Sequence, residues 1–472
     1  MVNPLEYDLV GAAEQISSGA VSPVDLVEAC LARIDKITDS NSFISVNADE
    51  ARSVARATAD LIATGYKIGP LHGIPIALKD NIAVAGQITT AGSAILADHR
   101  PAADAAVVSR LKSAGAIVIG KTNMHEFAWG GTSANPHYGF VSNPWDTTRM
   151  PGGSSGGSGV AVATGACFGA LGTDTGGSIR LPSSLNGITG LRPTIGRVSN
   201  SGVIPLAWTM DTVGPMARSA RDCALLLSVL AGHDSSDTGS VAAAVPDYVA
   251  AVGDSRVDGL RIGLIEDYSL THMQPAVLSA INAALEVLTS EGAMLRDVRV
   301  DDIDGNISAQ LTVEAAEPSA YHQRNLRERP HDYGDDVRLL LQAGELLPAV
   351  HYLQAQRYRS LLREQMLAAL HSVDVIVCPT LPFTATALGE TSVVIEEGLP
   401  EDMLSAIMQF TGLPSLTGLP AISVPCGFDA DGLPIGLQII GRPFAEATLL
   451  HVAAAFQTLT SHHLERPQAF AA

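Results

Sequence analysis

Three polar residues with the makings of a catalytic set lie in order along the first half of the chain. Lys79 ends the apolar run GIPIALKD, Ser154 lies within GGSSGGS, and Ser178 lies in GTDTGGSIR, twenty-four residues after Ser154. A serine hydroxyl is a weak nucleophile at neutral pH and needs a base beside it. It also needs backbone N–H groups aimed at the oxygen on which negative charge develops. The loop Thr175-Gly176-Gly177-Ser178 is suited to supply them, because glycine lets backbone approach a carbonyl with no Cβ in the way. A lysine closing a buried strand suits the base, since burial favours its neutral form. Taken singly, each piece has a plainer reading. A strand-end lysine commonly snorkels to solvent, and MPGGSSGGSG has the composition of a flexible spacer.

Competing chemistries fit less well. GGSSGGSGV lacks the Gly-Lys-Ser/Thr ending of a phosphate loop, and no GxGxxG occurs. His125-Glu126 opens like a metalloprotease helix, but the residue four after His125 is Trp129. The histidines show no ligand spacing, so neither a metal nor a cofactor is expected.

The elements that must hold these residues read as α/β. GIPIALKD (73–80) and AGAIVIGKT (114–122) are strand-like, with an apolar-faced helix in ADAAVVSRLKSAG between them. Upstream, Ser22 caps and Pro23 opens a helix with Leu26, Cys30, Ile34 and Ile37 on one face. Downstream, Ser219 and Asp222 have capping spacing, and a helix is expected from Pro275 to Glu291. LRIGLIED, VDVIVCPT and AISVPCGF read as strands, and Asp431-Gly432 as a turn into another strand. AEATLLHVAAAFQTL closes with a helix. No repeat or long linker divides the chain, so residues 1–472 read as one α/β domain, with helical additions within 300–370.

Composition narrows the partners. The 472 residues hold 29 Lys+Arg against 49 Asp+Glu, a formal net charge of -20. Such a surface repels phosphate backbones and anionic lipid, so neither nucleic acid nor a membrane is expected as a partner. Cys30, Cys167, Cys223, Cys378 and Cys426 are an odd, dispersed set that suits buried thiols in a reducing cytoplasm. No signal peptide is evident at the start.

The stretch from PGGSSGGSG through GTDTGGSIRLPSSLNGITGLRP resembles the signature region of the amidase signature family. The likeness extends upstream through GPLHGIPIALKDNI and GKTNMHEFAWGG, and downstream through DVIVCPT and GLPAISVPCGFDADGLPIGLQIIGRPF. It implies a large mixed, mostly parallel sheet covered by helices on both faces. It also implies a Lys79–Ser154–Ser178 triad, with Ser154 in a cis peptide and Ser178 as nucleophile. The oxyanion donors fall on Thr175, Gly176 and Gly177. Asp174 and Arg180 are expected to brace that loop. Met124, Phe127, Trp129 and Trp208 are the expected pocket wall, suited to aryl or hydrophobic acyl groups.

The expected activity is therefore hydrolysis of small amides as an arylamidase, extending to anilides, esters and carbamates (urethanase chemistry). The chain would act alone or as a homodimer. The alternative is the glutaminase-like A subunit of a tRNA-dependent amidotransferase. Against it, Met408–Pro420 has no acidic residue to meet a glutamine amino group; Arg338 is the one feature in its favour.

Overall fold

The computed structural model describes residues 3–254, 256–396 and 398–470. Its core is an eleven-stranded sheet. From one edge the strands run Phe43–Val46, Ile117–Thr122, Pro75–Lys79, Gly169–Asp174, Thr212–Ala217 and Thr189–Arg192. They continue with Ala421–Phe428, Pro434–Ile440, Val375–Pro379, Arg261–Ile265 and Met294–Val298. Parallel ladders occupy the two flanks: Pro75–Lys79 pairs in parallel with both neighbours, as does Arg261–Ile265. From Gly169–Asp174 across to Val375–Pro379 every neighbouring pair is antiparallel. The expected mixed sheet thus carries its parallel character on its flanks.

Successive strand residues point to opposite faces. Every residue of Pro75–Lys79, Gly169–Asp174, Thr212–Ala217 and Pro434–Ile440 is buried, so both faces of the sheet are covered there. Helix Ala106–Ser113 bridges the parallel strands Pro75–Lys79 and Ile117–Thr122, as their order requires. The anticipated caps form: Ser22 Oγ accepts from Val24 N at 3.2 Å, and Ser219 Oγ accepts from Asp222 N at 3.1 Å. The Asp431-Gly432 turn joins two antiparallel strands. All five cysteines are buried and free.

Between 300 and 370 the chain is helical, with Asn306–Glu328 (23 residues), Asp335–Glu345 and Ala349–Ser372 (24 residues). The first of these packs against the other two and against the short helix Gly412–Thr417, close to the nucleophile loop. Among the described residues, no helix is long and apolar enough to cross a membrane.

Candidate active site

Lys79 is the last residue of its strand and is fully buried. Its Nζ lies 2.7 Å from Ser154 Oγ and 2.8 Å from Thr173 Oγ1. Burial pulls the amine down to about 7, opposed in part by the charges of Asp211 and Asp174. The next two residues fix the end of this strand. Asp80 pairs with buried Lys121 at 2.8 Å and accepts from Thr90 N at 2.8 Å. Asn81 donates to the same Thr173 hydroxyl at 3.2 Å. The lysine is therefore held by the strand end and does not snorkel.

Ser154 follows Gly153 through a cis peptide bond and precedes helix Gly156–Ala163. Its carbonyl accepts from His125 N at 3.2 Å, while Ser155 N donates to Ser178 O at 3.3 Å. The Gly/Ser run is wholly buried and threads between the lysine and the third residue of the set, so it is no spacer.

The loop bearing Ser178 leaves the strand Gly169–Asp174 and is clamped from four directions. Asp174 pairs with Arg180 at 2.8 Å and Arg192 at 2.9 Å, all three fully buried. Burial alone would raise the Asp174 carboxyl, but the two guanidinium charges hold it well below the usual carboxylate range. This is the expected brace, placed in the interior and extended to a second arginine. Thr175 Oγ1 donates to Asp211 at 2.5 Å, and Thr411 Oγ1 donates to Gly176 O at 2.7 Å. Gly177 adopts φ +140, which favours glycine, and turns the chain so that Ser178 reaches a cavity at 7% exposure. Among the described residues, the N–H groups of the expected donors Thr175, Gly176 and Gly177, and of the adjoining Ser178, have no protein acceptor. They are free to hold an oxyanion.

The cavity at Ser178 measures ≈ 20 Å³ and is walled by Trp129, Gly131, Gly176, Leu181, Leu206, Glu314, Ile407 and Met408. It abuts a cleft of ≈ 510 Å³ that shares Trp129, Gly130, Gly131, Leu404 and Ile407. Of the four residues expected to form the wall, only Trp129 does so. Met124 and Phe127 lie in the core behind it, where Phe127 stacks against His322 with ring centroids 4.2 Å apart. Trp208 is 50% exposed and lines two other clefts. A large apolar side chain in a loop or a single turn carries no periodicity to tell core from pocket, which is why the sequence misplaces these three. Arg338 pairs with Asp335 at 2.6 Å and does not line the cavity.

Helix Asn306–Glu328 contributes one polar residue to the cavity wall and a partner behind it. Glu314 lines the cavity, and its Oε1 accepts from Gln310 Nε2 at 3.0 Å. The available signal is Asn306, Gln310, Glu314 and Glu317, polar residues at helical spacing, all of which prove buried.

A serine beside unpaired N–H groups, close in the fold to a buried lysine hydrogen-bonded to a second serine, is an arrangement suited to acyl transfer. A family model described as Amidase matches residues 25–450, and the chain belongs to that family. It is an enzyme that acts on amides. The chain is 41% identical to the A subunit of glutamyl-tRNA(Gln) amidotransferase from Chloroflexus aurantiacus, over 98% of both chains. It is also 41% identical to the corresponding chain of Cupriavidus necator, over 96% of this chain and 97% of that one. Among solved structures, the A subunit of the Thermotoga maritima glutamyl-tRNA(Gln) amidotransferase matches with TM-score 0.78 at 32% identity, covering 92% of this chain and 91% of that one. A bacterial aryl acylamidase matches with TM-score 0.89 at 28% identity, covering 98% of both. A chain from a vestigial protein complex bearing on the origins of an s-triazine catabolic enzyme matches with TM-score 0.91 at 36% identity, covering 96% of this chain and 98% of that one.

These relatives correct two expectations. The free-standing arylamidase or urethanase for hydrophobic amides gives way to the amidotransferase alternative, which the full-length identities favour. The exclusion of nucleic acid falls with it. Net charge reports a chain's own affinity for phosphates, and an acidic subunit can serve an assembly whose other members bind RNA.

Proposed function

We propose that the chain is the amide-hydrolysing subunit of an amidotransferase of the glutamyl-tRNA(Gln) type, releasing ammonia from the carboxamide of glutamine. The observation that carries this reading is 41% identity to such subunits over essentially the whole of both chains. Its setting is the cytoplasm, with companion subunits and a charged tRNA as partners. The whole chain acts as one unit, and the helices of 300–370 supply the acyl-side wall.

In this reading neutral Lys79 takes the Ser154 proton while Ser154 takes the Ser178 proton. Ser178 Oγ bonds to the amide carbon, and the carbonyl oxygen, now negative, is held by the N–H groups at Gly176, Gly177 and Ser178, with Thr175 adjoining. The C–N bond breaks as the relay returns a proton to nitrogen, so ammonia leaves and an ester remains on Ser178. Water then adds to that ester through the same relay, freeing the acid and the serine. The support is geometric: the 2.7 Å Lys79–Ser154 contact and the rigid loop that holds Ser178.

The test is ammonia release from glutamine by the purified chain, alone and with companion subunits. Release that depends on Ser178 is expected. An unreactive preparation whose Ser178 still accepts a fluorophosphonate would overturn the glutamine assignment.

A further inference from the structure

We propose that Glu314 selects the substrate of this site by pairing with a cationic amino group on the acyl side of the amide. The inference rests on the reading of Ser178 as nucleophile, and it refines what the site accepts.

Glu314 is 1% exposed, yet it borders the cavity that Ser178 opens into. Its Oε1 lies against the nucleophile loop, 2.8 Å from where a Cβ on Gly176 would stand. The rest of that wall is carbon-rich: Trp129, Leu181, Leu206, Leu404, Ile407 and Met408. One carboxyl in such a wall is the arrangement that gives a pocket its selectivity.

The carboxyl has no cation of its own. Its hydrogen-bond partner among the described residues is the neutral Gln310 amide. Arg180 and Arg192 are committed to Asp174. The carboxyls of Asp211 and Asp174 face it and add to the negative field. Burial first, and those charges with it, push Glu314 up to about 8, against the Gln310 hydrogen bond and the charge of Arg192, which both act to lower it. An arriving ammonium would supply the missing countercharge and let Glu314 ionise, releasing its proton. By contrast, none of the described residues lining the cavity is basic. An amino group is therefore read here and a substrate carboxylate is not.

Four primary amides separate the possibilities: glutamine, glutaramate (no amino group), 4-aminobutyramide (no carboxylate) and pentanamide (neither). The wild type is expected to favour 4-aminobutyramide over pentanamide by at least about tenfold in kcat/KM. E314Q should collapse that ratio toward one, and E314D should recover part of it. Fluorophosphonate labelling of Ser178 reports that each variant is folded. The wild type alone gives a second readout: propylammonium should protect Ser178 from labelling where propanol does not.

Equal protection by the two, or an E314Q preference matching the wild type, overturns the anchor. Turnover of 4-aminobutyramide but not of glutamine leaves the anchor standing and removes glutamine as substrate. Glutamine turnover with an unchanged E314Q preference does the reverse. Turnover of no amino-bearing amide removes both.

Discussion

In the proposed mechanism Lys79 is the residue on which the chemistry turns. A lysine in water stays protonated until pH is well above neutral, and a protonated amine cannot accept from Ser154. Burial brings Lys79 to about 7, so kcat/KM should rise as pH climbs through that value and level off above it. The sign follows from the role: the base works when unprotonated, and acid removes it. Lys79→Ala should cut kcat by about 10²–10⁴ and abolish this acid limb. A pH–rate profile on both proteins checks the point. An unchanged limb in the variant would assign it to another group. Lys79, Ser154 and Ser178 are singled out in the sequence by the family resemblance, and the fold sets Lys79 against Ser154 and ties the neighbouring Ser155 to Ser178. Glu314 is not singled out, since nothing local distinguishes a buried glutamate that meets substrate from one on a solvated helix face.

The elements around the site differ in how openly the sequence declares them. Pro75–Lys79 and Ala421–Phe428 are apolar runs bounded by glycine or proline, and both form where expected. Gly169–Asp174 and Thr212–Ala217 carry no such signal. Each is interrupted by glycine, and the second also by Pro215, so they owe their strand form to pairing with each other rather than to intrinsic preference. Helix Gly156–Ala163 is held to similar tolerances. A Cβ on Gly157 would fall 2.3 Å from Ser42 O and 2.5 Å from Asn123 O, both backbone atoms that cannot swing aside. Gly157→Ala should therefore cost at least about 1–3 kcal/mol and displace Ser154, three residues away. Chemical denaturation and Ser178 labelling measure the two effects. A variant of native stability and full labelling would show that the helix is free to shift.

The cavity is assembled from five distant places in the chain: residues 128–131, 176–181, Leu206, Glu314 and residues 404–408. The order of motifs implies the catalytic set and the family, but the acyl-side wall exists only once the helices of 300–370 fold back beside the nucleophile loop. Hence the reaction type is readable in the sequence and the substrate is not. The net charge of -20 is a poor guide to partners for a related reason: it describes one chain, whereas the amidotransferase relatives are subunits. Rapid acid quench of the enzyme turning over glutamine, followed by peptide mass mapping, addresses the whole account at once. A glutamyl ester on Ser178, absent from Ser178→Ala, is the result predicted. Ammonia released at full rate by Ser178→Ala, or an ester mapped to a different residue, would contradict it.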